Sequence, residues 1–192
     1  MELQRRRGRP RSFDPQAALA PITEVFWRRG FEAASVDELA AAAGLNKPNL
    51  YGAFGDKRAM YKAALDGFRE TLTEALEATL TGKRPLVDEL DQFFDDAISV
   101  YTAGETSLGC LIMCTASVAG VEDPELRAFV SDVTAQLDAA FAARLERTVL
   151  NPLEIGPLLT ALLQSLALRA RSDFPTDGLR RFAKSSVRVL AT

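Results

Sequence analysis

The polar side chains between residues 46 and 57 have the types and spacing to bind a nucleic acid. Asn46 precedes a short apolar helical pattern, and Lys47 and Asn49 fall in its first turn. A lysine reaches guanine O6/N7 or a phosphate, and an asparagine pairs with adenine N6/N7. Tyr51 and Lys57 add two donors suited to phosphate oxygens. The chemistry indicated is recognition by hydrogen bonds and charge.

The composition offers little for catalysis or for metal binding. The 192 residues include no histidine and two cysteines, so the commonest general base and the commonest metal ligand are missing. No motif-bearing serine and no clustered carboxylate pair replaces them. We therefore expect no catalytic residue, no metal site and no cofactor, in a protein that is not an enzyme.

Charge is distributed unevenly along the chain. The net charge is −3. Residues 1–66 hold 11 Lys/Arg against 8 Asp/Glu, whereas residues 67–192 hold 12 against 18. This asymmetry indicates a nucleic-acid-binding part joined to a part that does not bind nucleic acid. No apolar run reaches the ~20 residues of a membrane span, and no apolar stretch follows the N-terminal arginines, so we expect a cytoplasmic protein.

The elements that hold the polar side chains are two short helices joined by a glycine turn. Ser35 and Glu38 form a capping box at the start of the first helix. A turn at Gly44 follows, and the second helix opens at Asn46 and ends near Phe54. Such a pair predicts a helix-turn-helix, whose second helix lies in the DNA major groove.

The remainder of the sequence predicts helices only, in an all-α fold of about nine. A first helix begins at Asp14-Pro15 and ends at Gly30, and a long fourth helix runs from about Lys57 to Thr81. The segment 108–121 is apolar nearly all round, so if it is helical it is buried. Two later helices begin at Asp123-Pro124 and at Asn151-Pro152, since each pair is an N-cap followed by proline.

One set of residues, in order and spacing, resembles the N-terminal domain of the tetracycline-repressor (TetR) family of bacterial regulators. The set is Phe26, Gly30, Phe31, Ser35, Val36, Leu39, Ala40, Gly44, Leu45, Leu50, Tyr51, Phe54 and Lys57. The resemblance implies a basic arm (1–11), a helix-turn-helix DNA-binding domain (12–66) and a ligand-binding and dimerisation domain (67–192), with the fourth helix joining the last two. It implies a homodimeric repressor that a small-molecule or thiol-reactive inducer releases from a palindromic operator.

A second hypothesis is a ligand- or protein-binding module with a weakened DNA-binding part. Gly52 lowers the helix propensity of the recognition helix by up to ~1 kcal/mol relative to alanine. Ala53 stands where many members of the family that the chain resembles carry a polar residue. A gel shift at low and moderate salt separates the two hypotheses.

The predicted DNA contacts come from the arm, the two helix starts and the recognition helix: Arg7, Arg9, Arg11, Ser35, Asn46, Lys47, Pro48, Asn49, Tyr51, Gly52 and Lys57. Three of these assignments have alternatives. Ser35 and Asn46 cap their helices in any case, and Tyr51 could be a half-buried core aromatic. The sequence Gly8-Arg9-Pro10-Arg11 resembles an AT-hook core suited to a narrow minor groove, but such an arm can also be a solubilising tail.

The C-terminal domain carries surplus apolar helix surface. The predicted ligand-binding residues are Phe68, Leu72, Phe93, Phe94, Tyr101, Cys110, Met113, Cys114 and Phe129, although for any one of them a place in the plain core is the favoured alternative. The predicted dimer interface is Leu159, Leu162, Leu163, Leu166, Phe182 and Val189, because the last two helices are too apolar for one buried face each. If either cysteine senses an inducer, we expect Cys110 to react first, with a helix N-terminus near Gly109 lowering its pKa. The alternative is that both cysteines are small buried residues.

Overall fold

The computed structural model describes residues 14–146 and 151–191. Within these ranges the chain forms α-helices, one π-helical segment and no β-strand, which confirms the all-α prediction. The helices are α1 Pro15–Ala33, α2 Val36–Ala42, α3 Lys47–Phe54, α4 Lys57–Thr79, α5 Leu86–Tyr101, α6 Ser117–Ala119, α7 Pro124–Leu145, α8 Pro152–Arg171 and α9 Thr176–Leu190, with the π-helix at Ile112–Ala116.

Local capping signals set several of the helix starts. The Asp14 carboxylate accepts a hydrogen bond from the N–H of Gln16 at the start of α1, and the Asp123 carboxylate caps α7 in the same manner. Proline follows each of these aspartates at the first helical position, where its missing N–H costs nothing. Asp56 caps α4 through the N–H of Ala59. The side chains within the first turn therefore account for these boundaries.

Two predicted boundaries differ from the structure. Helix α4 ends at Thr79, two residues before the predicted end. Helix α1 continues to Ala33, but Gly30 has a φ of +74° and a ψ of 175°, so the regular helix is interrupted there. Glycine adopts this conformation at little steric cost because it has no Cβ.

The apolar segment 108–121 is not the uniformly buried helix that its sequence predicts. Leu111 and Ile112 are buried, whereas Val118 is 71% and Val121 is 69% exposed. The segment passes through the wider π-helical turn before α6, which changes the face that each residue presents. The segment contributes Ala116 as well as Leu111 and Ile112 to the core, but its last residues are exposed.

Helices α7, α8, α9 and α5 pack together as the C-terminal bundle, and α1 packs on α4. Phe93, Phe94 and Phe141 form an aromatic cluster in the bundle, with ring centroids 5.4–6.0 Å apart. Phe26, Phe31 and Tyr61 form a second cluster where α1 meets α4. Among the described residues, no helix is long and apolar enough to cross a membrane.

Candidate nucleic-acid interface

Helix α3 presents one polar face to solvent. Leu50 is fully buried in the core, on the helix that packs against α2, and it fixes the rotation of α3. The side exposed as a result contains the five recognition-helix residues predicted from the sequence, which are Lys47, Pro48, Asn49, Tyr51 and Gly52. Tyr51 is 43% exposed, so part of its side chain is accessible on this face.

The helix starts carry the caps that the sequence predicts. The N–H of Glu38 donates to the Ser35 hydroxyl (3.2 Å), and the N–H of Ser35 donates to the Glu38 carboxylate (3.0 Å), which completes the capping box. The hydrogen bonds that the Ser35 N–H and hydroxyl donate to the carboxylate hold the pKa of Glu38 below its ordinary value. The Asn46 side chain accepts from the N–H of Asn49 at 2.9 Å. Each cap satisfies one of the four free amides at a helix N-terminus and leaves other amides available for an anion.

Both lysines of the predicted interface have partners within the protein. The Lys47 ammonium forms an ion pair with Asp37 on α2 at 2.8 Å, and the hydrogen bond and charge of Asp37 raise the pKa of Lys47. The Lys57 ammonium donates to the carbonyl of Glu32 at 3.1 Å and lies 4.7 Å from the centre of the Phe31 ring. Lys57 thereby fastens the start of α4 to the end of α1. Each ammonium has three donors, so these contacts leave donors for phosphate.

The helix-turn-helix lies within a region of the chain that matches a known family model. Residues 19–64 match the model described as bacterial regulatory proteins, tetR family. The chain carries the helix-turn-helix domain of the TetR family. It is a DNA-binding transcriptional regulator.

Two curated relatives and one solved structure show how far the similarity to TetR-family proteins extends. The HTH-type transcriptional repressor ComR of Escherichia coli (strain K12) is 25% identical over 192 residues, which is 95% of this chain and 91% of ComR. The repressor BdcR of the same strain is 32% identical over 106 residues, covering 55% of this chain and 54% of BdcR. A cysteine mutant of the TetR-family regulator CifR, complexed with 26-bp operator DNA, superposes with a TM-score of 0.84 at 25% identity over 94% of this chain and 98% of that chain.

The arm residues Arg7, Arg9 and Arg11 lie outside the described residues. Their predicted contact with the minor groove therefore stays a prediction.

The nine residues predicted to bind a ligand do not share one pocket. Phe68, Leu72, Phe93 and Tyr101 line a small cavity of about 90 Å³ between α4 and α5. The other five do not line this cavity. They are Phe94 in the aromatic cluster, Cys110 in the core, Met113 half-buried on the π-helix, Phe129 beneath the guanidinium of Arg69, and Cys114 in a separate cleft.

The two cysteines have different surroundings, which favour Cys114 rather than Cys110 as the more reactive thiol. Cys110 is buried, and desolvation raises the pKa of its thiol to about 12. Burial outweighs any effect of the helix start that the sequence suggested. Cys114 is partly exposed and lines a cleft of about 580 Å³ between the end of α1, α6 and Arg171 of α8. Burial also raises the pKa of Cys114, although Arg171 opposes this.

Four of the six predicted interface residues belong to the core of the protomer. Leu159, Leu162, Leu163 and Leu166 are at most 6% exposed, because they face the other helices of the bundle. In the protomer they therefore expose little surface to a partner, and their place in a dimer interface stays a prediction. Phe182 is half-buried and Val189 is 76% exposed. The outward side of α8 instead carries Leu158, Ala161 and Leu168.

Several contacts join the DNA-binding domain to the rest of the protein, and sequence reasoning missed them. The indole N–H of Trp27 donates to the carbonyl of Gly109 at 3.1 Å. Arg171, at the end of α8, donates to the carbonyls of Trp27 and Leu108, each at 3.0 Å. These partners lie 63–144 residues apart, so no local pattern in the sequence reveals them.

Two further contacts act at the start of α4. Arg58 forms ion pairs with Asp123 and Glu125 at the start of α7. The Tyr61 hydroxyl lies 2.7 Å from the Thr115 hydroxyl on the π-helix, which itself donates to the carbonyl of Leu111. Tyr61 is therefore the donor of this pair. Together these contacts connect the helix-turn-helix to the C-terminal bundle through side chains as well as through α4.

Proposed function

We propose that this regulator is a homodimeric repressor that binds a pseudo-palindromic operator and leaves it when an inducer binds. The observation that carries the proposal is the exposed face of α3, where Lys47, Asn49 and Tyr51 stand beside two capped helix starts. Repression is favoured by ComR, a repressor similar along nearly its whole length. The protein acts by binding, without catalysis, in the cytoplasm where a bacterial chromosome lies.

The proposed contacts divide into two classes. Asn49 and Pro48 face the base edges, where asparagine pairs with adenine and the proline ring packs on a thymine methyl. Ser35, Asn46, Tyr51, Gly52 and Lys57 lie around the phosphates, and Lys47 reaches either a phosphate or a guanine. Phosphate contacts position the protein, and base contacts give sequence preference. The arm, with Arg7, Arg9 and Arg11, adds contacts in an adjacent minor groove.

The proposed dimer forms through the outward faces of α8 and α9. Leu158 and Leu168 on α8 are 49% and 56% exposed, and Val189 on α9 is 76% exposed. Apolar residues of this size, spaced along two adjacent helices, fit a two-fold four-helix interface. A symmetric dimer would present two α3 helices about one DNA turn apart, roughly 34–36 Å.

DNA binding by the purified protein tests the proposal. Fluorescence anisotropy with an inverted repeat from the DNA next to the gene should give saturable binding that weakens steeply with salt. Lys47→Ala should weaken it, whereas Lys62→Ala, which removes an equal charge from an exposed position on α4, should have little effect. Equal weakening by both variants, or no binding at low salt, would favour the hypothesis of a module with a weakened DNA-binding part.

A further inference from the structure

A cleft of about 570 Å³ lies between α1 and α4 and is bordered by the end of α5 and the loop after it. We call it the α1–α4 cleft. Its lining includes Leu19, Ala20 and Trp27 from α1, Gly67 and Phe68 from α4, and Leu108 from the loop. We propose that the α1–α4 cleft is an effector site for an uncharged aromatic molecule, which contacts the DNA-binding domain directly through α1.

The size of the cleft suits a small molecule. Ligand pockets usually measure ~300–1,000 Å³. The α1–α4 cleft is within this range, whereas the neighbouring cavity between α4 and α5, at about 90 Å³, would hold only a small group. The two share Phe68, Thr71 and Val100, so a substituent of the ligand can extend from the cleft toward the cavity.

Gly67 is an unusual residue for the middle of a long helix. A glycine there costs ~1 kcal/mol relative to alanine, and Gly67 has no positive φ that would require it. A Cβ placed at this position would meet nothing within 4 Å. Gly67 thus keeps open a space that an ordinary helix residue would fill, and that space belongs to the cleft.

The lining favours a flat apolar ligand. Trp27 and Phe68 meet edge to face, with ring centroids 5.1 Å apart and an interplanar angle of 84°, so two aromatic surfaces border the space. The Trp27 N–H is already used by Gly109. The hydroxyls of Thr23 and Thr71 donate to carbonyls within their own helices.

The charges at the rim are balanced. Glu24 and Arg28 on α1 form an ion pair at 2.8 Å. A charged ligand would have to disrupt this pair or remain without a partner in an apolar space, which is costly. The ligand that fits is therefore uncharged, with an aromatic ring as its main body.

A ligand in the cleft would touch both domains at one of their junctions. Trp27 forms part of the wall and also carries the hydrogen bonds to Gly109 and from Arg171. A ligand that binds more tightly at one spacing of α1 and α4 stabilises that spacing. Binding therefore shifts the position of α1 relative to α4. The expected effect of the ligand on DNA binding rests on the proposed function, whereas the binding of the ligand in the cleft does not.

The test uses the neutral fluorophore N-phenyl-1-naphthylamine with the full-length protein. We expect saturable fluorescence enhancement without DNA. Gly67→Leu should raise the dissociation constant for the probe by about tenfold or more, because the new side chain fills the cleft. Gly67→Ala should stay near the wild type and be at least as stable. Thr73→Leu, which places the same side chain at an exposed position elsewhere on α4, should have no effect.

The second measurement is the affinity for the operator with and without the probe. We expect saturating probe to weaken operator binding by the wild type and by Gly67→Ala, and not by Gly67→Leu. Equal probe affinity of Gly67→Leu and the wild type overturns the site. Cleft-dependent probe binding with unchanged operator affinity overturns its role as an effector site. If the protein without probe binds no operator, the proposed function fails, while the fluorescence result still decides whether the cleft binds this class of molecule.

Discussion

The indole N–H of Trp27 donates a 3.1 Å hydrogen bond to the backbone carbonyl of Gly109, 82 residues further along the chain. Gly109 has a φ of +66° and lies so close to α8 that an added Cβ would approach the carbonyl oxygen of Ala167 to 2.3 Å. This contact brings α1, the loop after α5 and α8 together at one point. Arg171 binds the carbonyl of Trp27 from the same side.

We predict that Gly109→Ala is strongly destabilising and that Trp27→Phe is mild. An alanine at position 109 would be strained at this positive φ and would clash with Ala167. Together these effects should lower the free energy of unfolding by about 2–5 kcal/mol. The phenylalanine keeps an aromatic ring but loses one hydrogen bond, which should lower the free energy of unfolding by about 1 kcal/mol. Urea unfolding followed by circular dichroism measures both. A stability of Gly109→Ala within error of the wild type would contradict the close approach to α8.

We predict that Asn49→Ala relaxes the preference for one base pair in each half-site, by ~1–3 kcal/mol. Lys47→Ala should instead weaken binding on all sequences if its main contact is phosphate. Asp37→Asn should strengthen binding on all sequences, because it releases the Lys47 ammonium from its 2.8 Å ion pair. Binding to a panel of single-base operator variants separates these effects. A uniform loss of affinity for Asn49→Ala would remove Asn49 from base recognition.

We predict that Leu168→Arg yields a folded monomer and that Leu162→Arg does not fold. Leu168 is 56% exposed and Leu162 is 6% exposed, although the two lie less than two turns apart on α8. An arginine at position 162 would bury an unpaired charge inside the protomer. Sedimentation velocity with circular dichroism reports mass and fold together. A Leu168→Arg protein that remains dimeric would exclude this face of α8 from the interface.

We predict that Cys114 reacts with a maleimide in the native protein before Cys110 does. Cys114 lines an open cleft, whereas Cys110 is buried with its pKa raised to about 12. Because burial raises both thiol pKa values, labelling near neutral pH should be slower than that of free cysteine. Peptide mass spectrometry identifies the labelled residue. If an electrophile still releases operator from a Cys114→Ser protein, Cys114 is not the sensor.

We predict that Glu89 makes the stability depend on pH in the acid range. Burial alone raises the pKa of this carboxyl. The hydrogen bonds from Arg144, Thr81 and the N–H groups of Gly82 and Arg84 outweigh that effect and lower the pKa to about 2. The lowered value stabilises the fold fully above the ordinary pKa of 4.5, and this contribution is lost as the pH falls from about 4.5 toward 2.

Glu89→Gln should remove this acid-range dependence and should cost about 3–5 kcal/mol at neutral pH, since it leaves the Arg144 charge without its partner. Urea unfolding between pH 3 and 7 measures both effects. An unchanged pH dependence in the variant would mean that other carboxylates cause the acid sensitivity.

The sequence alone was sufficient for the all-α class, the helix-turn-helix and the polar side of α3. These features depend on interactions within one or two turns. Ser35 and Glu38 form their capping box three residues apart, and Asn46 caps α3 through Asn49. The position of Leu50 among polar neighbours then decides which side of α3 is buried. Local propensity and packing agree in this region, so the sequence pattern predicts the structure.

Only the tertiary structure decided the roles of the C-terminal residues. Leu162 and Leu168 are the same residue type on one helix, and the sequence cannot tell which faces the protomer core, because both sides of α8 are apolar. Cys110 and Cys114 likewise differ only in what packs against them. The α1–α4 cleft is lined by residues of α1 and α4 and by Leu108 in the loop after α5. Leu108 lies more than 80 residues after Gln16, the first residue of α1 that lines the cleft. Burial and cavities arise from such distant partners, whereas capping and turn signals act between neighbours along the chain.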